Sequence, residues 1–157
     1  MSTCYMCNDP ESSREHVPPL CFFPEERTYG RNLRMNLISV PSCNIHNSGK
    51  SQDDEFFRAT VTMLAGNNEA GHHQFLEKTL RAARRRPTVY RSFFQDRGSV
   101  TAPPGPDLRA LRLDRSRLDR CVDHLVRGLL FHATGTRWLS GVSVFLPNLV
   151  STTAPHF

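Results

Sequence analysis

The chain has 157 residues, of which 38% are hydrophobic and 22% are charged. This length suits one domain with a modest core, and it argues against a Rossmann enzyme or a large barrel. No apolar run approaches the ~18 residues that a membrane span needs, and the first residues do not predict a secretion signal. The net charge of +5 favours polyanionic partners such as nucleic acid, although an arginine-rich coding bias would give the same charge.

Two short pairs of residues predict a zinc site. Cys4 and Cys7 form a C-x2-C pair, and Cys43 and His46 form a C-x2-H pair that begins 36 residues after Cys7. Three thiolates and one imidazole suit tetrahedral zinc, and each pair closes a tight turn that presents two ligands. A redox C-x-x-C is the alternative, but no strand precedes Cys4 as that motif requires. Two further cysteines lack a partner at ligand spacing and are expected to be small core residues: Cys21 and Cys121.

Three short groups of residues lie between and after these pairs. They are Glu15-His16, Asn36-Leu37, and Asn47 followed by Lys50. In this order, and flanked by the two zinc pairs, they resemble the HNH endonucleases of the ββα-metal (His-Me finger) superfamily. The resemblance covers residues 4–58. It implies hydrolysis of phosphodiester bonds beside a structural zinc ion.

The chemistry of that reaction assigns a role to each residue. Hydrolysis needs a base that activates water and a cation that stabilises charge on the phosphate. His16 is the candidate base, and Glu15 and Asn47 are the candidate oxygen ligands for one Mg²⁺ or Mn²⁺ ion. The resemblance implies that Asn36 holds the His16 loop through side-chain hydrogen bonds. Glu15 stands where the family has Asp more often, and His46 where it has Cys, so His46 remains an alternative ligand for the catalytic metal.

Two short strands and a helix are expected to carry these residues. The strands are predicted at Glu15-His16 and at residues 36–41, and the helix is predicted to begin near Cys43. An apolar spacing of four and three residues defines its amphipathic part over residues 53–64. The apolar residues are Phe57, Val61 and Leu64. Asp54 is either a further metal-site acid or an N-terminal acid favoured by the helix dipole.

A second helix is expected over residues 68–86. Its apolar stripe consists of Leu76, Leu80 and Ala83. It ends in a run of arginines, which either complements the helix dipole or contacts phosphate groups. The candidate nucleic-acid-binding residues are Lys50, Arg58, Arg81, Arg84, Arg85 and Arg86.

The C-terminal part is predicted to be mainly helical. Residues 88–107 are expected to be irregular, with a hinge at residues 102–106. A third helix begins with Asp114 or Ser116 as its cap and ends at Gly135. Its apolar stripe consists of Leu118, Val122, Leu125 and Leu129. An apolar run at residues 143–149 is typical of a strand.

Together these features predict an α+β fold. A zinc-stabilised ββα-metal nuclease core occupies residues 1–66, and a helical extension packs on it over residues 67–157. The predicted function is a metal-dependent endonuclease that acts on double-stranded DNA, with RNA as the alternative substrate. It is predicted to be cytoplasmic and encoded by a bacterium or phage, and a controlling protein is a candidate partner. Two alternatives stay open: a non-catalytic zinc-stabilised module that binds nucleic acid or protein, and an accessory subunit of a phage or defence complex.

Overall fold

The computed structural model describes residues 2–64, 67–101 and 107–144. Over these residues it is a mixed α/β structure with two small two-stranded sheets. The elements in chain order are β1 (Ser13–His16), α1 (Glu26–Tyr29), β2 (Ser39–Ser42), α2 (Ser51–Thr62), α3 (Glu69–Gln74), a π-helical turn (Phe75–Leu80), α4 (Arg81–Arg85), α5 (Pro87–Phe93), β3 (Phe94–Thr101), β4 (Asp107–Leu113) and α6 (Arg115–Thr134). The predicted hinge at 102–106 and most of the predicted strand at 143–149 lie outside the described residues.

The first sheet contains the two strands that were predicted near the zinc pairs. β1 and β2 are antiparallel, with Ser13 opposite Ser42 and His16 opposite Ser39. The pairing continues past the strand ends, because the backbone N–H of Val17 donates to the carbonyl oxygen of Ile38 (3.0 Å). Successive side chains of a strand point to opposite faces, so the neighbours Glu15 and His16 project to different sides of this sheet.

The first long helix begins later than the sequence predicts. A turn and a 3₁₀ segment (Ser48–Lys50) follow Cys43, and α2 starts at Ser51. Two ligands three residues apart must converge on one ion, which favours a tight turn over a helix at this point. The predicted apolar stripe is correct at Phe57, but the fully buried side chain is Phe56, and Leu64 is 48% exposed.

The predicted helix over 68–86 contains a π-helical turn that changes which side chains are buried. α3, the π turn and α4 follow one another without a break. A π turn holds more residues than an α turn and therefore rotates the following side chains about the axis. Within this turn Leu76 is 44% exposed, whereas the polar side chain of Thr79 is buried, as is that of Gln74 just before the turn. The hydroxyls of Thr79 and Thr62 lie 2.9 Å apart across the contact with α2.

The prediction that residues 88–107 are irregular is wrong for the described part of this range. Pro87 begins α5, a position where its missing N–H costs nothing, and Tyr90 and Phe93 are buried. β3 and β4 then form an antiparallel pair with an irregularity between Asp96 and Ser99. Gly98 lies inside that irregularity with φ of 95°, a conformation that favours glycine. The polar composition and the irregularity conceal the alternation by which a strand is recognised.

The predicted C-terminal helix is confirmed as α6. The Asp114 carboxylate accepts a hydrogen bond from the backbone N–H of Arg117 (3.0 Å) and so caps its first turn. Gly135 ends the helix with a left-handed φ of 67°. Leu118 is buried as expected, but Leu129 is 38% exposed. No helix in the described ranges is long and apolar enough to cross a membrane.

Buried apolar side chains form two clusters, which we call the hairpin core and the helical core. The hairpin core consists of Cys4, Tyr5, Val17, Val40 and Cys43. The helical core consists of Phe56, Phe57, Ala59, Tyr90, Phe93, Leu118 and Cys121. Leu125 of α6 packs against both clusters, so this helix joins the zinc-pair region to the rest of the chain.

Candidate metal centre and the adjoining groove

The four predicted zinc ligands come together in the structure. The backbone N–H of Cys4 donates to the Asp9 carbonyl (2.9 Å) and closes the first turn, and Tyr5 N–H donates to Pro41 O (2.9 Å), which ties this turn to β2. Cys43 follows β2 directly, and the N–H of Asn47 returns to the Cys43 carbonyl (3.0 Å). The two turns therefore face each other at one end of the hairpin.

The distances within this cluster fit a tetrahedral zinc ion. The Sγ atoms of Cys7 and Cys43 are 3.8 Å apart, and the His46 Nδ1 atom lies 3.6, 3.5 and 3.3 Å from the Sγ atoms of Cys4, Cys7 and Cys43. Ordinary Zn–S and Zn–N bonds in a tetrahedron give S–S and S–N edges of about 3.8 and about 3.6 Å. This Cys3His cluster is thus able to hold a metal such as zinc.

The surroundings of the cluster favour the ionised form of one ligand, Cys4. Burial opposes ionisation of Cys4, but backbone N–H groups, among them that of Met6, outweigh it and lower the pKa of the thiol. On the other side of the cluster, the His124 ring of α6 lies 5.8 Å from the His46 ring, centroid to centroid. Burial lowers the pKa of His124 to about 4, so this imidazole is neutral at pH 7.

Glu15 lies in a buried polar network next to the metal cluster. Only 5% of the residue is exposed. Tyr5 Oη donates to Glu15 Oε2 (3.0 Å), and Lys50 Nζ contacts Glu15 Oε1 (2.7 Å) and Asp54 Oδ1 (2.5 Å). Burial raises the pKa of Glu15, and the Lys50 ammonium opposes that shift. The Lys50 side chain is 10% exposed, so it acts as an internal counter-ion rather than as a surface contact for phosphate.

This network decides how the residues fit the implied Mg²⁺ or Mn²⁺ ion. Both oxygens of Glu15 are engaged, by Tyr5 and by Lys50. The Asn47 side chain donates its N–H groups to Ser13 Oγ (2.9 Å) and to the Arg14 carbonyl (3.1 Å), which pins the start of the helical segment to β1. The Asn47 oxygen suits a hard cation, but the Glu15 carboxylate is already neutralised by an ammonium group. In this arrangement the pair does not fit a divalent ion.

Asn36 does not make the side-chain hydrogen bonds that the resemblance implies. It is exposed, has a left-handed φ of 55°, and in the described residues its side chain has no hydrogen-bond partner. Asn tolerates this conformation better than most residues. The strand that carries His16 is held instead by Arg14, whose guanidinium donates to the Ser39 hydroxyl (3.0 Å) and to the Ser39 carbonyl (2.7 Å).

An open groove of about 900 Å³ runs beside the metal centre. His16 and Asn47 line it together with four of the predicted nucleic-acid-binding residues, whereas Arg84 and Lys50 are not part of its lining. Those four are Arg58, Arg81, Arg85 and Arg86. Four more cationic side chains complete the basic part of the wall: Arg14, Arg27, Arg34 and Lys78.

The acidic side chains of the groove are all paired with cations. Five of them line it, against eight Lys and Arg. Lys78 contacts Glu25 (2.7 Å), Arg81 contacts Glu77 (2.9 Å), and Lys50 holds both Glu15 and Asp54. Glu55 accepts from Arg86 and from Tyr90 Oη. The groove therefore presents a surplus of positive charge and, within the described structure, no unpaired carboxylate.

Sequence reasoning missed three residues of this site. Tyr5 and His124 complete the buried network, since their Oη and Nδ1 atoms are 3.4 Å apart, and Gln74 lies in the groove wall. For Tyr5 the sequence offered one signal: an aromatic residue lies between the predicted zinc ligands Cys4 and Cys7. The positions of His124 and Gln74 depend on how α6 and α3 pack, and no local pattern reports that. No protein family, curated protein or solved structure matches this chain.

Proposed function

We propose that this chain is an HNH-type nuclease that hydrolyses phosphodiester bonds of a DNA strand held in the groove. The observation that carries the proposal is the placement of His16 in a groove whose wall contains eight cationic side chains. These cations come from β1 and the segment between the two strands, from α2, and from the π turn through the residue that follows α4. A polyanion in this groove would lie against the predicted base.

The local architecture supports the same assignment. β1, β2 and α2 occur in this order along the chain, with the short α1 between the two strands, and the Cys3His cluster lies near the junction between β2 and α2. A structural zinc ion there would hold the hairpin against the start of α2, and Asn47 adds a direct tie between the two. Such support keeps His16 fixed relative to the groove, which a general base requires.

In the proposed reaction His16 acts as the general base. Its Nδ1 atom is buried and has no hydrogen-bond partner, so Nε2 is the ring nitrogen left to face water in the groove. His16 removes one proton from the attacking water, whose oxygen forms a bond to phosphorus while the bond to the 3′ oxygen breaks. The 3′ oxygen then takes a proton from solvent. The arginines of the groove wall balance the added negative charge on the phosphate.

We assign no step to a divalent ion, because Glu15 is paired with Lys50. If Mg²⁺ or Mn²⁺ takes part, Lys50 must first leave the Glu15 carboxylate. Measuring cleavage with and without each ion therefore shows whether a divalent ion takes part in the reaction. The pairing of Glu15 with Lys50 argues against such an ion.

One observation favours a second candidate function, a zinc-stabilised nucleic-acid-binding module without activity. Every carboxylate of the groove is neutralised by a neighbouring cation, and the pair of Glu15 with Lys50 is the most deeply buried of these. A module that only holds a polyanion needs the positive charge of the groove and no open metal site.

A nicking assay on supercoiled plasmid DNA tests the proposal. The purified chain is incubated with Mg²⁺, with Mn²⁺ or with a chelator chosen to leave the zinc in place, and single-strand cleavage is followed on gels. We expect nicking by the wild-type chain and a loss of at least ~100-fold in His16→Ala, since a general base contributes about that much or more.

The matched control replaces an exposed histidine, His72 of α3, by alanine. His72→Ala should cleave like the wild type, and both variants should keep their zinc. Cleavage that survives in His16→Ala rejects the assignment of the base. DNA binding without cleavage by the wild-type chain in every metal condition favours the binding module instead.

A further inference from the structure

A buried group of three charged side chains lies where the resemblance implies a divalent ion. The Lys50 ammonium contacts Glu15 Oε1 (2.7 Å) and Asp54 Oδ1 (2.5 Å), and we call these three residues the ion triad. Glu15 belongs to β1, Lys50 directly precedes α2, and Asp54 lies in the first turn of α2. The ion triad therefore joins the strand that contains His16 to the helix that follows the Cys3His cluster.

The ammonium is held between two carboxylates as a small cation would be. The distances from Lys50 Nζ to the two oxygens are close to the Ca²⁺–oxygen distances of about 2.3–2.6 Å. The second oxygen of Glu15 accepts from Tyr5 Oη (3.0 Å), so the carboxylate is fixed from both sides. Two carboxylates in direct contact favour the charged form of an amine. The ion triad thus has the arrangement of a two-carboxylate cation site in which the cation is an ammonium group.

The space beside the ion triad is too small for a hydrated divalent ion. A pocket of about 20 Å³ adjoins it and is lined by Glu15, Lys50 and Asp54 together with His124 of α6. This volume holds about one water molecule, whereas Mg²⁺ usually keeps several of its waters. A divalent ion could enter only after Lys50 had moved out, and the ammonium would then lose both of its partners.

The charges around this pocket are already balanced. Among the described residues, three carboxylates line it: Glu15, Asp53 and Asp54. Three cationic side chains oppose them, since Lys50 and Arg120 line the same pocket and Arg117 contacts Asp53 (2.6 Å). No surplus of negative charge is left to attract a divalent ion, and an added ion would be repelled by the buried ammonium.

We propose that Lys50 takes the place of the divalent ion: its ammonium is the permanent cation between Glu15 and Asp54, and the chain binds no Mg²⁺ or Mn²⁺ there. This inference goes beyond the proposed function, because it applies to a nuclease and to a binding module alike. Lys50 is then a positioning residue that holds the end of β1 against α2 without a second metal ion. Removal of its ammonium alone should create a site for a divalent ion.

Binding of Mn²⁺ tests this inference without any measurement of cleavage. Each chain is first loaded with one equivalent of zinc, which a Cys3His cluster binds in preference to Mn²⁺. Free Mn²⁺ is then followed by electron paramagnetic resonance in titrations of the wild type, of Lys50→Met, and of Lys50→Met combined with Asp54→Asn. We expect no stoichiometric binding by the wild type and one ion per Lys50→Met chain. The single variant should bind Mn²⁺ at least about 10-fold tighter than the wild type or the double variant.

The matched control is Lys78→Met. Lys78 Nζ contacts Glu25 Oε1 at the same distance of 2.7 Å, but its side chain is 36% exposed, and Arg27 contacts Glu25 as well (2.6 Å). Removing this ammonium leaves a single carboxylate that still has a cationic partner, so Lys78→Met should bind Mn²⁺ no better than the wild type. Thermal unfolding with and without Mn²⁺ gives a second readout, in which only Lys50→Met should gain stability.

The outcomes separate this inference from the proposed function. One Mn²⁺ ion bound by the wild type and lost in Asp54→Asn overturns it, because the ammonium then yields its place. A folded Lys50→Met chain that binds no Mn²⁺ also overturns it, whereas a Lys50→Met chain that folds only with Mn²⁺ supports it. If Lys50→Met does not fold in any condition, the titration of the wild type decides alone. A wild-type chain that neither binds Mn²⁺ nor nicks DNA rejects the nuclease and keeps the role of Lys50.

Discussion

The hairpin region (residues 2–50) and the helical region (α2 to α6) are stabilised in different ways. Of the five buried residues in the hairpin core, two are predicted zinc ligands, Cys4 and Cys43, and a third, Tyr5, bonds to the buried Glu15. The helical core is built largely from aromatic rings, such as Phe56 and Phe93, which meet edge to face with centroids 5.5 Å apart.

The difference follows from what each region has to bury. Two four-residue strands enclose little apolar surface, and the hairpin region in addition contains Glu15 and Lys50, which form a buried charged group with Asp54 of α2. Burying charges costs free energy even when they are paired. A metal ion held by the four ligands would supply stability that so small a core cannot, whereas the aromatic contacts of the helical core need no such ion.

The largest expected effect is the loss of a zinc ligand. Cys43→Ser should abolish zinc binding and reduce the stability of the hairpin region by on the order of 4 kcal/mol or more, because zinc binding is then no longer coupled to folding. Zinc content by mass spectrometry and the thermal unfolding midpoint measure both effects. Cys121→Ser is the control: this buried cysteine is not a ligand, its thiol contacts the Asp53 carbonyl, and a serine hydroxyl can make the same bond.

A Cys43→Ser chain that still binds one zinc ion would show that the cluster is not the metal site. The explanation that a metal ion in this cluster stabilises the hairpin region would then be wrong. A chain that loses zinc but unfolds at the same temperature would show that the hairpin core suffices without the ion.

The second effect belongs to the helical region. Phe56 is fully buried, and Phe56→Ala should reduce the free energy of unfolding by about 3–5 kcal/mol through the lost transfer energy and the cavity. Zinc content should remain at one ion per folded chain, because no ligand contacts this cluster. Leu139, which is 82% exposed, provides the control, and Leu139→Ala should change stability by less than ~0.5 kcal/mol. Zinc loss in Phe56→Ala would mean that the two regions depend on one another.

What the sequence predicts well is the hairpin region. The spacing of Cys4, Cys7, Cys43 and His46 defines the metal cluster, because ligand chemistry demands short, fixed intervals that are visible in a linear chain. α6 is predicted equally well, since an amphipathic stripe, an Asp114 cap and a terminal Gly135 are all local signals.

What the sequence does not predict depends on packing. Within the π turn Leu76 is exposed and Thr79 is buried, and nothing in residues 75–80 indicates that turn beforehand. Lys50 was predicted to contact nucleic acid because it follows Asn47, yet the fold directs its ammonium to Glu15. Whether a charged residue finds a buried partner is a property of the tertiary structure, so position along the chain is a weak guide to it.

The third prediction concerns the contact where the two regions meet. At Gly128 of α6 an added Cβ would lie 2.7 Å from Val17 Cγ2 of the hairpin core. Gly128→Ala should therefore lower the free energy of unfolding by about 1–2 kcal/mol, because overpacking against a stiff β-branched side chain exceeds the gain in helix propensity. The measurement is denaturant unfolding of the single variants Gly128→Ala and Val17→Ala and of the double variant.

The double variant shows whether the loss of stability in Gly128→Ala comes from overpacking against Val17 or from another cause. Removing the Val17 methyl groups makes room for the new Cβ, so the loss from Gly128→Ala should disappear in the Val17→Ala background. If the loss persists there, the contact between α6 and the hairpin is not what limits the size of residue 128.

The smallest effect is a pH dependence carried by Glu25, which ties the hairpin region to the π turn. Hydrogen bonds from Lys78 first, and then from Arg27, lower the pKa of Glu25 from 4.5 to about 2. A carboxyl whose pKa is depressed in the folded state stabilises the fold above its ordinary pKa and loses that contribution as the pH falls towards the depressed value. The wild type should therefore be slightly more stable than Glu25→Gln at pH 7, and the difference should vanish between about pH 4.5 and about pH 2.

Comparing the two proteins at each pH isolates this contribution, because any release of metal from the Cys3His cluster in acid would affect both of them alike. Glu26→Gln is the control: it removes the same charge one residue away, where the carboxylate has no ion-pair partner among the described side chains, and it should leave the pH profile unchanged. If the difference in the free energy of unfolding between the wild type and Glu25→Gln stays constant down to about pH 2, the ion pair of Glu25 with Lys78 does not stabilise the fold. Glu25 would then contribute no pH-dependent contact between the hairpin region and the π turn.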